Sequence, residues 1–258
     1  MKNPQNTHTH LLGEIKKYVA ATGLTKAVLG VSGGIDSALV LKLLADAIGP
    51  KNVTALLMPE NGVTRDENTS HSKQLCKFMG ITYHTIPINK YLLDLLHLPW
   101  QPSRLAQMNT KARARSIILY NFANSENALV VGTSNKSELR IGYGTKFGDL
   151  ACDFMPIGDL YKTEVTELSE YLSLPDEIIQ KAPSAELYRG QTDEDELGLT
   201  YKEIDKILKT LETEGTPEKT LETLKAKNPN LQEVRVLDIL DRIKKNEHKS
   251  KTPYIIPA

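Results

Sequence analysis

Cysteine is scarce in this chain: Cys76 and Cys152 are the only two in 258 residues, and they form no Cys-x-x-Cys. Two isolated thiols in a chain this long argue against a disulfide framework and for a reducing, cytoplasmic setting. Net charge is missing too, because 32 Lys and Arg balance 32 Asp and Glu. That balance speaks against a broad nucleic-acid or anionic-membrane footprint, which needs many uncompensated cations. No apolar run approaches the roughly 20 residues of a spanning helix. The N-terminus, MKNPQNTHTHLLGEIKKYVA, has neither the continuous apolar stretch nor the small-residue cleavage site of a signal peptide. His8 and His10 lack a third ligand and belong to an expected disordered N-terminus. Disorder and fibrous structure are otherwise excluded by a composition that is 40% hydrophobic and 25% charged. At this length folding buries roughly 70 to 75% of the unfolded chain's surface, so no metal or disulfide staple is required.

Helical and strand patterns alternate through the first half. Leu12, Ile15 and Val19 sit at helical spacing, and residues 27–31 are a short apolar run leading into Ser32-Gly33-Gly34, as a buried strand enters a turn. Val40, Leu43, Leu44 and Ala47 then mark one face of a helix closed by Gly49-Pro50. Residues 53–58 are the second strand. Thr64-x-x-Glu67 reads as a capping box opening a helix to Phe78, and residues 81–86 are the third strand. Residues 104–124 carry Leu105, Met108, Ala112, Leu119 and Phe122 on one helical face, and residues 128–132 are the fourth strand. Strands separated by helices predict an α/β fold, a doubly wound parallel sheet flanked by helices, with ligands at the carboxyl ends of the strands. From 133 to 159 no period is sustained, and a loop that long inside a compact domain has a function or is disordered. Helices follow at 162–171, 200–211, 216–225 and 231–245, with residues 187–198 a mobile loop between them. No internal repeat or domain boundary is visible, so residues 1–258 are read as a single domain.

The strongest local signal is Gly30, Val31, Ser32, Gly33, Gly34, Ile35, Asp36 and Ser37, set between a buried strand and an amphipathic helix. Glycines let the backbone approach an anion, amides at a helix start point toward it, and two serines add hydroxyl donors. Neither the Gly-Lys-Ser/Thr ending of a Walker loop nor G-x-G-x-x-G is present. Asp36 would repel bare phosphate, and makes sense with a divalent cation between carboxylate and phosphate oxygens. The plain alternative, a tight turn with helix-capping Ser and Asp, leaves the paired glycines at a strand's carboxyl end unexplained.

Ser32-Gly-Gly-Ile-Asp36-Ser37 resembles the pyrophosphate loop of the ATP pyrophosphatases, which cleave ATP to AMP and pyrophosphate while activating a carbonyl or carboxylate. Later segments narrow the resemblance. Asn109-Thr-Lys111-Ala-Arg113-Ala-Arg115, Gly132-Thr133-Ser-Asn135-Lys136-Ser-Glu138, Gly142-Tyr143-Gly-Thr145-Lys146-Phe-Gly148-Asp149, Leu160-Tyr-Lys162, Lys181-Ala-Pro-Ser184 and Gly190-Gln191-Thr-Asp193-Glu194 are similar, in order and spacing, to bacterial ammonia-dependent NAD synthetases. The similarity runs over roughly residues 10–250.

What the resemblance implies is an adenine nucleotide alpha-hydrolase-like fold and a ligase that amidates deamido-NAD with ammonia and ATP, through a nicotinate acyl-adenylate, to give NAD, AMP and pyrophosphate. Residues 30–37, Thr133, Lys162 and Ser184 would bind ATP; Asp36 and Glu138 would hold Mg2+; Arg113, Lys146, Asp153, His248 and Lys249 would meet deamido-NAD. Asp36, Lys162 and Asp153 would carry the chemistry, with Asp153, joined by Asp149, holding ammonium and accepting its proton. Ser250 stands where an arginine commonly follows the His-Lys pair. No glutamine amidase domain is expected, so ammonia is the nitrogen source. A homodimer with the dinucleotide site near the subunit interface is implied as well, residues 104–124 being the expected interface helix.

Bland readings stand beside these. Arg113 and Arg115 also suit the solvated face of a helix, Glu138 a helix start favoured by the dipole, and Ser184 a turn after Ala-Pro. Cys76 reads as a packing residue. Two competing functions are another ATP pyrophosphatase, such as a GMP synthetase or tRNA-modifying enzyme, and a nucleotide sensor without turnover. The neutral charge disfavours tRNA, and a second metal-ligating acid at position 138 disfavours mere sensing.

Overall fold

A computed structural model describes residues 3–184, 186–188, 190–228 and 232–256. In chain order the elements are α1 (Pro4–Thr22), β1 (Lys26–Gly30), α2 (Ile35–Ile48), β2 (Val53–Leu57), α3 (Asp66–Phe78), β3 (Thr82–Thr85), α4 (Asn89–Leu92), α5 (Arg104–Glu126) and β4 (Ala128–Val130). There follow α6 (Lys136–Ile141), α7 (Lys162–Tyr171), α8 (Asp176–Ile179), α9 (Asp193–Leu197), α10 (Tyr201–Glu214), α11 (Pro217–Lys227) and α12 (Glu233–Asn246). Among the described residues the strands form one sheet of order β3-β2-β1-β4, parallel throughout, with Val28 opposite Thr54 on one side and Val130 on the other.

The sheet is covered on both faces, which is why its inner strands read as unbroken apolar runs. Ala27, Leu29 and Val31 join Val53, Ala55, Leu57 and Leu129 in a cluster with residues of α1, α2 and α7. Val28, Leu56 and Val130, pointing the other way, pack with Ile118 and Ala123 of α5. This is the period-two alternation of strands buried on each side. A separate helical cluster joins Ile141 of α6 to Ile204 and Leu208 of α10, Leu224 of α11 and Val236 and Ile239 of α12. Chain order reverses across β1 and β4, since β1 leads outward to β2 and β3 and the chain returns to place β4 on the opposite side. A crevice opens at such a switch point. Among the described residues no helix is long and apolar enough to cross a membrane.

The doubly wound α/β architecture expected from the alternating pattern is what the chain adopts, with several local corrections. The N-terminus is not disordered: α1 starts at Pro4 with Asn3 as its cap, and His8 pairs with Asp46 of α2 at 3.3 Å. Thr64 does not cap α3. Its hydroxyl accepts from Glu60 N at 3.0 Å, closing the turn after β2, and α3 begins two residues later. The third strand is a short, polar edge, Thr82–Thr85, because half of an edge strand's surface faces water. Leu105, expected on the buried stripe of α5, is 65% exposed. Residues 133–159 contain α6, too short at six residues to show a period yet opened by a capping box between Asn135 and Glu138. Residues 187–198 contain α9, capped by Thr192.

Candidate active site

At the carboxyl ends of β1, β2 and β4 lies a cleft of about 590 Å³. Its floor is the loop 30–37. Gly33 has φ of +80°, and a Cβ there would sit 2.6 Å from the carbonyl oxygen of Asn68 on α3, so both the turn and the close packing require glycine. The loop is fastened internally. Ser37 Oγ accepts from Ser32 N at 3.2 Å and donates to Gly34 O at 3.0 Å, and Ser32 Oγ accepts from Gly34 N at 3.3 Å. No side chain caps the first turn of α2, and Gly34, Ile35, Asp36 and Ser37 all line the cleft. A rigid turn ending in uncapped amides at the positive end of a helix is an anion site.

Beside it three elements bring two acids and a lysine together. Asp36 Oδ2 accepts from Lys162 Nζ, and Glu138 Oε1 lies 3.7 Å from the same ammonium. The side chains are 18%, 15% and 6% exposed respectively for Asp36, Glu138 and Lys162, so the charges interact through little solvent. Asn135, wholly buried, aims the acids: its Nδ2 donates to Asp36 Oδ1 at 2.9 Å, its Oδ1 accepts from Glu138 N at 3.0 Å, and its own N donates to Glu138 Oε2 at 3.2 Å. Burial, then the neighbouring Asp36 charge, pushes the Glu138 carboxyl up; Lys162 opposes this. For Lys162 burial pulls down, but Asp36 and Glu138 outweigh it and the net direction is up, so the lysine stays charged. Once Glu138 is ionised, which a nearby cation would favour, two carboxylates face one ammonium; among the described residues no cluster of three metal-ligating side chains exists. A hard divalent cation completed by phosphate oxygens and water fits that donor set.

The rim is built from the later segments. Lys181 Nζ reaches Gly33 O at 3.5 Å, and Glu186 accepts from the Asn68 amide, so the chain after Ile179 crosses the loop. Ser184 Oγ donates to Gln191 O at 2.7 Å and accepts from Glu186 N at 3.1 Å. Tyr143 OH lies 3.0 Å from Asp193 Oδ1 and 2.6 Å from Glu196 Oε2, fastening α9 over the cleft. Arg115 Nε donates to Met58 O at 3.0 Å, and its guanidinium lines the cleft. Asp149, which lines the cleft, accepts from Thr145 N at 2.9 Å; its enclosure within the cleft walls pushes its carboxyl up, opposed by that amide and by Lys249.

Of the residues singled out in the sequence, Gly30, Val31, Ser32, Gly34, Ile35, Asp36, Ser37, Thr133, Glu138, Lys162, Ser184 and Lys249 line this cleft. Gly33 is set back against α3. Arg113, Lys146, Asp153 and His248 lie outside it. Arg113 donates from Nε and Nη2 to Lys146 O at 3.3 and 3.2 Å, and Lys146 Nζ donates to His248 O at 2.8 Å. Asp153 Oδ2 accepts from Val130 N at 2.7 Å, beside Tyr120 OH at 3.5 Å from Oδ1. Ile117, one helical turn after Arg113 on α5, and Phe147, next to Lys146 in the chain, are 70% and 59% exposed. Sequence reasoning gave no role to Asn135, Tyr143, Lys181, Glu186 or Asp205. Asn135-x-x-Glu138 was a readable capping pattern; the others carry no local signal, because their partners are distant in sequence.

The NAD synthase family model matches residues 8–253. Over 253 residues the chain is 43% identical to the NH(3)-dependent NAD(+) synthetase of Fusobacterium nucleatum, covering 98% of this chain and 96% of that protein. Its fold superposes on the NH3-dependent NAD synthetase of Campylobacter jejuni, solved with a nitrate ion, with a TM-score of 0.82, 36% identity and 99% of each chain covered. The NMN synthetase of Francisella tularensis gives the same TM-score at 30% identity, with 98% of each chain covered. With a family model spanning nearly its whole length and relatives this similar over all of theirs, the chain belongs to the NAD synthase family.

Proposed function

We propose that the protein is an ammonia-dependent NAD synthetase that amidates the nicotinate carboxylate of deamido-NAD at the expense of ATP. The observation that carries this is the junction of the anion loop 30–37 with the Asp36, Glu138 and Lys162 cluster in one cleft, within a chain that matches the NAD synthase model. A carboxylate oxygen attacks the α-phosphorus of ATP, the bond to the β-phosphate oxygen breaks, and pyrophosphate leaves with its charge met by Lys162 and the α2 amides. Ammonia then attacks the acyl carbon, the bond to AMP breaks, and one proton is lost. Asp36 and Glu138 would hold Mg2+, which supplies charge neutralisation to the phosphates.

For ammonium we favour Asp149, which faces the cleft with its affinity for a proton raised by burial. Asp153, tied to Val130 N outside the cleft, suits the dinucleotide in company with Arg113, Lys146 and His248. Lys249, donating to Gly142 O at 2.8 Å from within the cleft, suits the same substrate. The exposed Ile117 and Phe147 beside these groups support a homodimer in which a second copy completes the dinucleotide site.

The test is pyrophosphate release with ATP, ammonium and deamido-NAD, each omitted in turn, and repeated with Asp36→Ala. Release that needs all three and is lost in Asp36→Ala supports the reading. Equal turnover on nicotinate mononucleotide would move the chain toward the activity named for the Francisella relative.

A further inference from the structure

Asp205 lies on α10, in the helical cluster beside the sheet, and does not line the cleft. It is 2% exposed, and a carboxylate is costly to bury without partners. Its partners are the starts of two other helices. Oδ1 accepts the hydroxyl of Ser137, and Oδ2 accepts from Thr163 N at 2.9 Å. Ser137, itself fully buried, accepts in turn from Lys162 N at 2.9 Å. The N-cap residue of α7, Tyr161, makes no side-chain cap bond, so the first amides of that helix are met from α10 and α6 instead.

The consequence is geometric. Ser137 immediately precedes Glu138, and Thr163 immediately follows Lys162. One carboxylate thus clamps the two backbones that present the acid and the ammonium, 3.7 Å apart, to the phosphate loop. We infer that Asp205 is a positioning residue for phosphate activation, holding Lys162 and Glu138 in register through Ser137 and Thr163. This rests on the proposed ATP-dependent amidation, and it places the control of that step on a helix outside the cleft.

Asp205→Asn keeps shape and leaves a single acceptor oxygen for two donors, and Ser137→Ala removes the hydroxyl bridge. Each is expected to lower kcat by about 10- to 100-fold, since a misplacement of about 1 Å has that scale of effect. The KM for deamido-NAD, whose expected contacts lie elsewhere, stays within about twofold of wild type. The double variant falls no further than the weaker single one, because both changes break one link. Ser169→Ala, a buried hydroxyl further along α7 with no hydrogen-bond partner, serves as the control and keeps wild-type turnover. Wild-type turnover per folded molecule in Asp205→Asn, or a loss expressed as a raised KM for deamido-NAD, overturns the assignment. If the wild-type chain itself releases no pyrophosphate with deamido-NAD, the functional reading falls instead. The clamp is then judged by calorimetric titration with Mg-ATP, where an affinity in Asp205→Asn equal to wild type overturns it.

Discussion

Gly33 and Asn135 illustrate two kinds of demand that the site makes on single residues. Gly33 combines φ of +80° with the Asn68 carbonyl where a Cβ would go. Gly33→Ala is therefore expected to cost about 1 to 3 kcal/mol of stability through a strained backbone conformation, and to weaken ATP binding because α3 must shift away from the loop. Urea denaturation monitored by circular dichroism, together with nucleotide titration, checks both effects; an unchanged midpoint would count against the backbone argument. The need for glycine here was visible in the sequence, since Ser32-Gly33-Gly34 follows a buried strand. Asn135 differs. Its capping role was readable three residues ahead of Glu138, but its bond to Asp36, 99 residues earlier, was not. Local spacing reports on caps, whereas a contact across the switch point depends on how the strands are ordered.

Among the elements, α2 and α7 show how far apolar periodicity reaches. Val40, Leu43, Leu44 and Ala47 are buried on α2 as their spacing predicts, and α7 occupies the expected residues. The elements that went unseen are short: α6 and α9 bury too few side chains for a period to emerge, whereas the polar edge strand β3 falls within the expected residues 81–86. On α3 the sequence indicated Cys76 as a packing residue, and it is fully buried in the main core. Burial pushes its thiol from its ordinary value near 9 up to about 11, slightly offset by a backbone hydrogen bond. The folded state thus favours the neutral thiol, and this contribution is complete below pH 9 and disappears as pH climbs toward 11. The stability difference between wild type and Cys76→Ala is expected to narrow over that interval. Urea midpoints of the two proteins at stepped pH measure it, and a constant difference would contradict the burial argument.

For the whole molecule, the arrangement of surfaces matters more than the balance of charges. Equal numbers of cations and anions average over a cleft in which Lys162, Lys181 and Arg115 stand among Asp36, Glu138, Glu186 and Asp149. The residues expected to meet the dinucleotide divide between this cleft and an outer surface that carries Ile117 and Phe147. If a second copy covers that surface, Ile117→Lys places a charge in the interface and should convert a sedimenting dimer to monomer at micromolar concentration while lowering turnover on deamido-NAD. A wild-type monomer by the same measurement would exclude the arrangement. The alternation of the four strands with the longer helices, the parallel sheet and the phosphate loop were legible from the chain alone, because each rests on neighbours within a few residues: alternation, helical spacing and a turn that needs glycine. Tertiary structure decided which acids meet Lys162, that Asp205 clamps their helices, and that Arg113, Lys146, Asp153 and His248 stand outside the cleft. Those pairings span up to 126 residues, and they follow from the reversal of chain order across β1 and β4 that no local pattern encodes.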